Sequence, residues 1–287
     1  MASVVAPAGR RAPGLWDAIR SEWVKLRTVR SAPWMLGAMV VVGVGVAMLS
    51  AHAYSIAGQG LGGCQGATVG GNVVSTGQSS LRASLAGFFP ALLIVGILGM
   101  EVVTAEYGSG MVRATFSAVP RRYVVVAAKA IVLAVVVYVT SGIMLLVSFL
   151  AGQALIGHPC SASFSTQGVT LGLAGGALGL ALVGLVSLGI GMVVRKTAGG
   201  IGILVAVLLV VPWILAGVFS GTFETHIAKF MPLWQEIAVV MGNTASNTGG
   251  ASGSTVFFPP WIGLAILAGY TAAVLAIGTI LTIRRDV

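Results

Sequence analysis

The chain has 287 residues, of which 57% are hydrophobic and only 8% charged, against about 25% charged in an ordinary soluble domain. With a mean hydropathy of +1.00 it carries too few charges to cover a water-soluble globule, and it is far too hydrophobic for a disordered chain. The net charge of +9 does not point to nucleic acid, because the basic residues are scattered between apolar blocks, where they set orientation in a bilayer.

The composition predicts an all-α, polytopic membrane protein. Its first 33 residues form a cytoplasmic N-terminus and residues 34–287 a transmembrane domain. From Gly14 to Ser31, Leu15, Ile19, Trp23 and Leu26 recur at steps of three or four while Arg20, Lys25, Arg27 and Arg30 take other positions. That spacing predicts an amphipathic helix lying in the cytoplasmic interface, its cations on anionic headgroups. Contact with a cytoplasmic partner is the alternative use of the same surface. Pro33 then marks the turn into the first span.

A helix needs about 20 mostly apolar residues to cross the hydrocarbon, and six runs qualify: Trp34–Tyr54, Leu85–Ala105, Val124–Ala151, Val169–Val194, Gly199–Ser220 and Trp261–Ile283. Pro90 and Pro212 fall in the second and fifth and predict kinks there. Ala51-His52-Ala53 is similar to a signal cleavage site, but the lead before the first apolar run is long for a signal peptide, so an uncleaved span is expected. Apart from Arg82 and Lys229, every Lys and Arg falls on one side of this arrangement. By the positive-inside rule both termini then face the cytoplasm.

The cytoplasmic segment between spans two and three, residues 106–123, is the densest in chemistry. Gly108 and Gly110 can end span two, Met111–Val119 can form a short helix, and Pro120 with Arg121 and Arg122 stops it. A short helix held between two spans is a mechanical handle; a simple positive-inside turn is the alternative. Glu101 and Glu106 lie at the cytoplasmic end of span two, near Arg113, which favours a local ion pair or helix-end anchor over proton coupling. No buried Lys, Arg or His is expected inside a span.

In the fourth span Gly168, Gly172 and Gly176 recur every four residues, with Gly175 and Gly179 beside them, a spacing for close helix packing. Phe88, Phe89, Met100, Met144 and Trp213 are expected to pack between helices or contact lipid rather than line a pathway. Outside, Cys64 and Cys160 fall in the first two outer loops and can pair, since that compartment permits disulfides; free or intermolecular thiols are the alternative. His52, His158 and His226 have no metal-ligand spacing. The long outer loop, residues 221–260, carries a partly apolar stretch, Phe223–Met241, expected on the outer membrane surface.

Gly58, Gly60 and Gly63 match G-x-G-x-x-G but follow a span rather than a strand, so they bind no dinucleotide. The sequence has no Gly-Lys dipeptide, hence no P-loop, and neither H-E-x-x-H nor G-x-S-x-G. No enzyme activity and no bound cofactor are expected of the chain itself. Any energy comes from another subunit.

Three features carry a resemblance: residues 21–31 before span one; residues 104–113 with Val119-Pro120-Arg121-Arg122 and Ala127-Ala128-Lys129 after span two; and six spans with both ends inside. On these the chain resembles the permease subunit of type-2 ABC transporters, especially the small six-span permeases of high-GC Gram-positive bacteria. The resemblance implies a bacterial plasma-membrane complex of two permease copies, a homodimer, with two copies of a separately encoded ATPase that holds ATP and Mg. It implies export of a hydrophobic or amphipathic substrate such as an antibiotic, peptide or lipid. By the same likeness Met111–Val119 is a coupling helix, Glu106, Arg113, Arg121 and Arg122 couple it to the ATPase, and the helix bearing Glu22 and Lys25 braces against it. A non-pumping membrane binding, immunity or sensor protein is the rival reading.

Overall fold

Long apolar segments must satisfy every backbone N–H and C=O internally when lipid replaces water, which leaves the helix as the default for an open chain. A computed structural model of the chain follows this rule; it describes residues 14–60, 68–69, 72–73, 76–111, 122–158, 160–166, 168–211, 214, 230, 240 and 259–284. Helix α1 spans Leu15–Thr28 and α2 Ser31–Gly60; a two-residue hairpin, β1 (Thr68–Val69) with β2 (Asn72–Val73), is the one extended pairing among the described residues. Then come α3 (Thr76–Ser84), α4 (Phe88–Ser109), α5 (Arg122–Ile156), α6 (Val169–Val194), α7 (Thr197–Val205) and α8 (Pro260–Arg284).

Among the described residues, five helical stretches are long and apolar enough to cross a membrane: Ser31–Ala57, Ser79–Ser109, Tyr123–Ile156, Val169–Val194 and Pro260–Arg284. The architecture is that of a multi-pass helical membrane protein. Its outward faces carry large apolar side chains such as Val41, Leu49, Ile143 and Ile277, a surface that lipid covers and water does not. The run expected at Gly199–Ser220 begins as α7 and continues into a π-helical turn, Ala206–Val210. Beyond it, Pro212 and Trp213 lie outside the described residues.

Helix α6 is the most buried of the five and packs against α4, α5, α7 and α8. Glycine makes these approaches close. A Cβ on Gly99 of α4 would fall on the Gly184 carbonyl of α6, and one on Gly87 would fall on the Gly43 carbonyl of α2. Of the expected stripe, Gly172 and Gly176 do mark close packing, within the same chain, against Val240 and Leu145. Gly168 is the N-cap of α6 with φ 95°, a left-handed conformation suited to glycine. Phe88, Met100 and Met144 are fully buried between helices, as packing residues should be.

Two further expectations change. Pro90 makes no mid-span kink; it sits in the first turn of α4, where its missing N–H has no intrahelical partner to lose. The break falls just before it, in the turn of residues 85–87 between α3 and α4. Helix α1 forms, but it docks through Ala18 and Glu22, which are buried; of the apolar register Leu15 and Trp23 stay exposed while Ile19 and Leu26 are half-buried. A helix that docks through charge turns its aromatic side chains outward.

Candidate functional site

Helix α5 has 35 residues, about 52 Å at 1.5 Å per residue, well beyond the roughly 30 Å of hydrocarbon. Its first two turns pack against α1 and the end of α4, and Lys129 lies on that stretch. Lys129 is 7% exposed, which corrects the expectation that no span holds a buried cation.

Its ammonium has three donors and uses all of them. Lys129 Nζ donates to Glu22 Oε2 of α1 at 2.7 Å, to Glu106 Oε1 of α4 at 2.9 Å and to the Val102 carbonyl at 3.4 Å. Lys25 closes the figure, with Nζ 2.7 Å from Glu22 Oε1 and 3.0 Å from Glu106 Oε1. Glu22 and Lys25, one helical turn apart on α1, thus alternate with Glu106 and Lys129 in a closed ring of four charges. The ring is neutral. Burying charges this deeply costs several kcal/mol per ion unless each is paired, and here each meets two opposite charges.

Burial opposes the charge on Lys25, but the hydrogen bond and charge of Glu22, joined by those of Glu106, outweigh it and hold the ammonium above its ordinary 10.5. Glu106 is thus ion-paired, with Lys25 of α1 and Lys129 of α5 rather than with a neighbour in its own segment. Arg113 and Arg121 lie outside the described residues, as does the Met111–Val119 segment beyond Met111; α5 begins at Arg122, whose side chain is likewise not described. Beside the ring, Thr197 at the start of α7 donates to the Thr104 hydroxyl at 2.8 Å. The Arg195 guanidinium stacks over Tyr107, 4.9 Å from the ring centroid. These contacts fasten the end of α4 to α6 and α7, so the ring belongs to a junction of five helices.

Alongside the ring is a cavity of about 290 Å³, walled by α1, the start of α2 and the last turns of α4. Leu26, Val29, Ala32, Leu98, Val102 and Ala105 give it apolar sides, and Glu101 enters it with Glu106. The sequence missed Lys129 as a site residue. The signal was present, since an ionisable side chain inside an apolar run is a functional candidate by default, but Lys129 was counted only towards orientation, as one of the cations on the cytoplasmic side.

No group of three or more His, Cys, Asp or Glu able to hold a metal occurs among the described residues. Cys160 is disulfide-bonded; Cys64, the other cysteine of the sequence, lies outside the described residues. Compared with models of known protein families and with curated proteins, the chain matches none.

Proposed function

We propose that this chain is the permease subunit of an ATP-driven exporter of the type-2 ABC class. In this reading it sits in a bacterial plasma membrane with six spans, residues 199–220 supplying the sixth, and with both termini cytoplasmic. Two copies form the pathway for a hydrophobic or amphipathic substrate, and two copies of a separate ATPase bind ATP and Mg. One observation carries the reading: the four-charge ring ties α1 to α4 and α5 on either side of residues 110–121. Force applied to that segment by a cytoplasmic partner reaches the second and third spans directly and α1 through the ring.

In this mechanism Glu106, Glu22, Lys25 and Lys129 transmit displacement, while Arg113, Arg121 and Arg122 face the ATPase. The test is recovery of the tagged chain from its native membrane in mild detergent, with partners identified by mass spectrometry. An equimolar P-loop protein is expected, whose ATP hydrolysis is stimulated by the native chain and not by Arg113→Ala or Arg121→Ala chains that insert normally. Recovery of the chain alone, under conditions that preserve other membrane complexes, overturns it. The second reading, a binding or immunity protein that does not pump, draws its support from the cavity beside the ring.

A further inference from the structure

We infer that the cavity beside the ring is a binding site for an organic monocation with an apolar body. The charges lining it settle the sign. Glu22, Lys25, Glu106 and Lys129 cancel within the ring, and Glu101 is the fifth charge on the wall. It makes no hydrogen bond and no ion pair with any described residue, so the described residues of the wall carry one surplus negative charge.

Glu106 adds to this, because both lysines sit on its Oε1 and Oε2 makes no hydrogen bond among the described residues. A second free carboxylate oxygen is therefore available beside Glu101, five residues away on α4. An anion would meet this surplus charge with no unpaired cation among the described lining residues. A divalent metal would need more oxygen ligands than one free carboxylate and one spare oxygen supply.

The remaining walls, contributed by α1, α2 and α4, are mostly aliphatic, with Ser31 and Ser109 among them, and they favour an apolar body behind the positive group. Such walls also lower the local dielectric and strengthen the ion pair to Glu101. The volume of about 290 Å³ lies at the lower edge of small-molecule pockets, which suits a single-ring or short-chain cation. The shared chemistry, a cationic head on an apolar body, is met either by a free amphiphile or by the ammonium head of a zwitterionic lipid.

The site requires no ATPase, so its test is separable from the transport reading. The full chain in dodecyl maltoside micelles is dialysed against radiolabelled phenyltrimethylammonium, with empty micelles as the blank. Saturable binding of one cation per chain is expected, competed by unlabelled cation and not by benzenesulfonate. Glu101→Gln should raise the Kd at least tenfold with an unchanged melting temperature, and Glu101→Asp should restore part of the affinity. Displacement by phosphatidylethanolamine but not phosphatidylglycerol assigns the natural occupant to a lipid head; no displacement by either assigns it to a free compound. Equal affinity in the native and Glu101→Gln chains, equal competition by benzenesulfonate, or no saturable binding overturns the inference.

Discussion

Replacing Lys129 by methionine keeps the length of the side chain and removes one corner of the ring. At 2.7–3.0 Å and an effective dielectric of about 20, each contact between a lysine and a carboxylate is attractive by ~6 kcal/mol before desolvation. Desolvation returns most of this, so the informative quantity is the cost of leaving a charge behind. In Lys129→Met two carboxylates, 5% and 13% exposed at the side chain, share the one remaining ammonium of Lys25. Breaking a buried pair in this way costs about 3–5 kcal/mol. That corresponds to roughly two to three and a half decades in the equilibrium for undocking α1.

Amide hydrogen exchange in detergent reads that equilibrium, since α1 can open without unfolding the bundle. Protection of α1 should fall by about that factor, with α6 unchanged. Adding Glu22→Gln removes the surplus charge and leaves Lys25 paired with Glu106, so the double variant should lose less than the sum of the singles, by about 2 kcal/mol. Protection of α1 within about tenfold of the native chain, or additivity within roughly 0.5 kcal/mol, refutes the ring as the fastening of α1.

Lys25→Met strands the same two carboxylates on Lys129 alone, and should cost less than Lys129→Met because solvent reaches the vacated position, where the lysine is 29% exposed. Lys25 also gives α1 a pH dependence. Its folded pKa is raised, so its contribution is complete below the ordinary 10.5 and is lost as pH rises through the folded value. The distance between spin labels on α1 and α5 should therefore broaden only in that alkaline range, with a smaller change in Lys25→Met. Gly87→Ala should lower the melting temperature, at a cost of about 1–3 kcal/mol, because the new Cβ meets the Gly43 backbone. Its φ of −61° adds no strain of its own. Gly45→Ala, with nothing within 4 Å of the added carbon, should leave the midpoint unchanged or slightly raised.

The helical architecture was legible because an apolar run of span length has few other solutions in a bilayer, and Val169–Val194 emerges with the limits its hydropathy gave it. Pro90 was misplaced for a definite reason: the run from Leu85 onward is uniformly apolar, and hydropathy does not register the turn at 85–87 that puts the proline in a first turn. The face of α1 was hidden more deeply. Periodicity locates apolar side chains, but the docked surface was chosen by Glu22, whose partner Lys129 lies 107 residues away. Gly172 announced a close approach without naming its neighbour, since Val240 comes from a distant segment of the same chain.

The sequence separations in the ring also impose a timetable on synthesis. Glu22 must wait for Lys129, 107 residues later, which at about 5–20 residues per second is roughly 5–20 s of elongation. During that interval α1 has left the ribosome without Glu106 or Lys129. Glu22 and Lys25, three residues apart at 2.7 Å, can neutralise one another meanwhile, and Trp16 and Trp23, both exposed, are of the residue type that favours a water–lipid boundary. Helix α1 is thus among the last of its neighbours to lock, and its docking certifies that the helices bearing Glu106 and Lys129 have arrived.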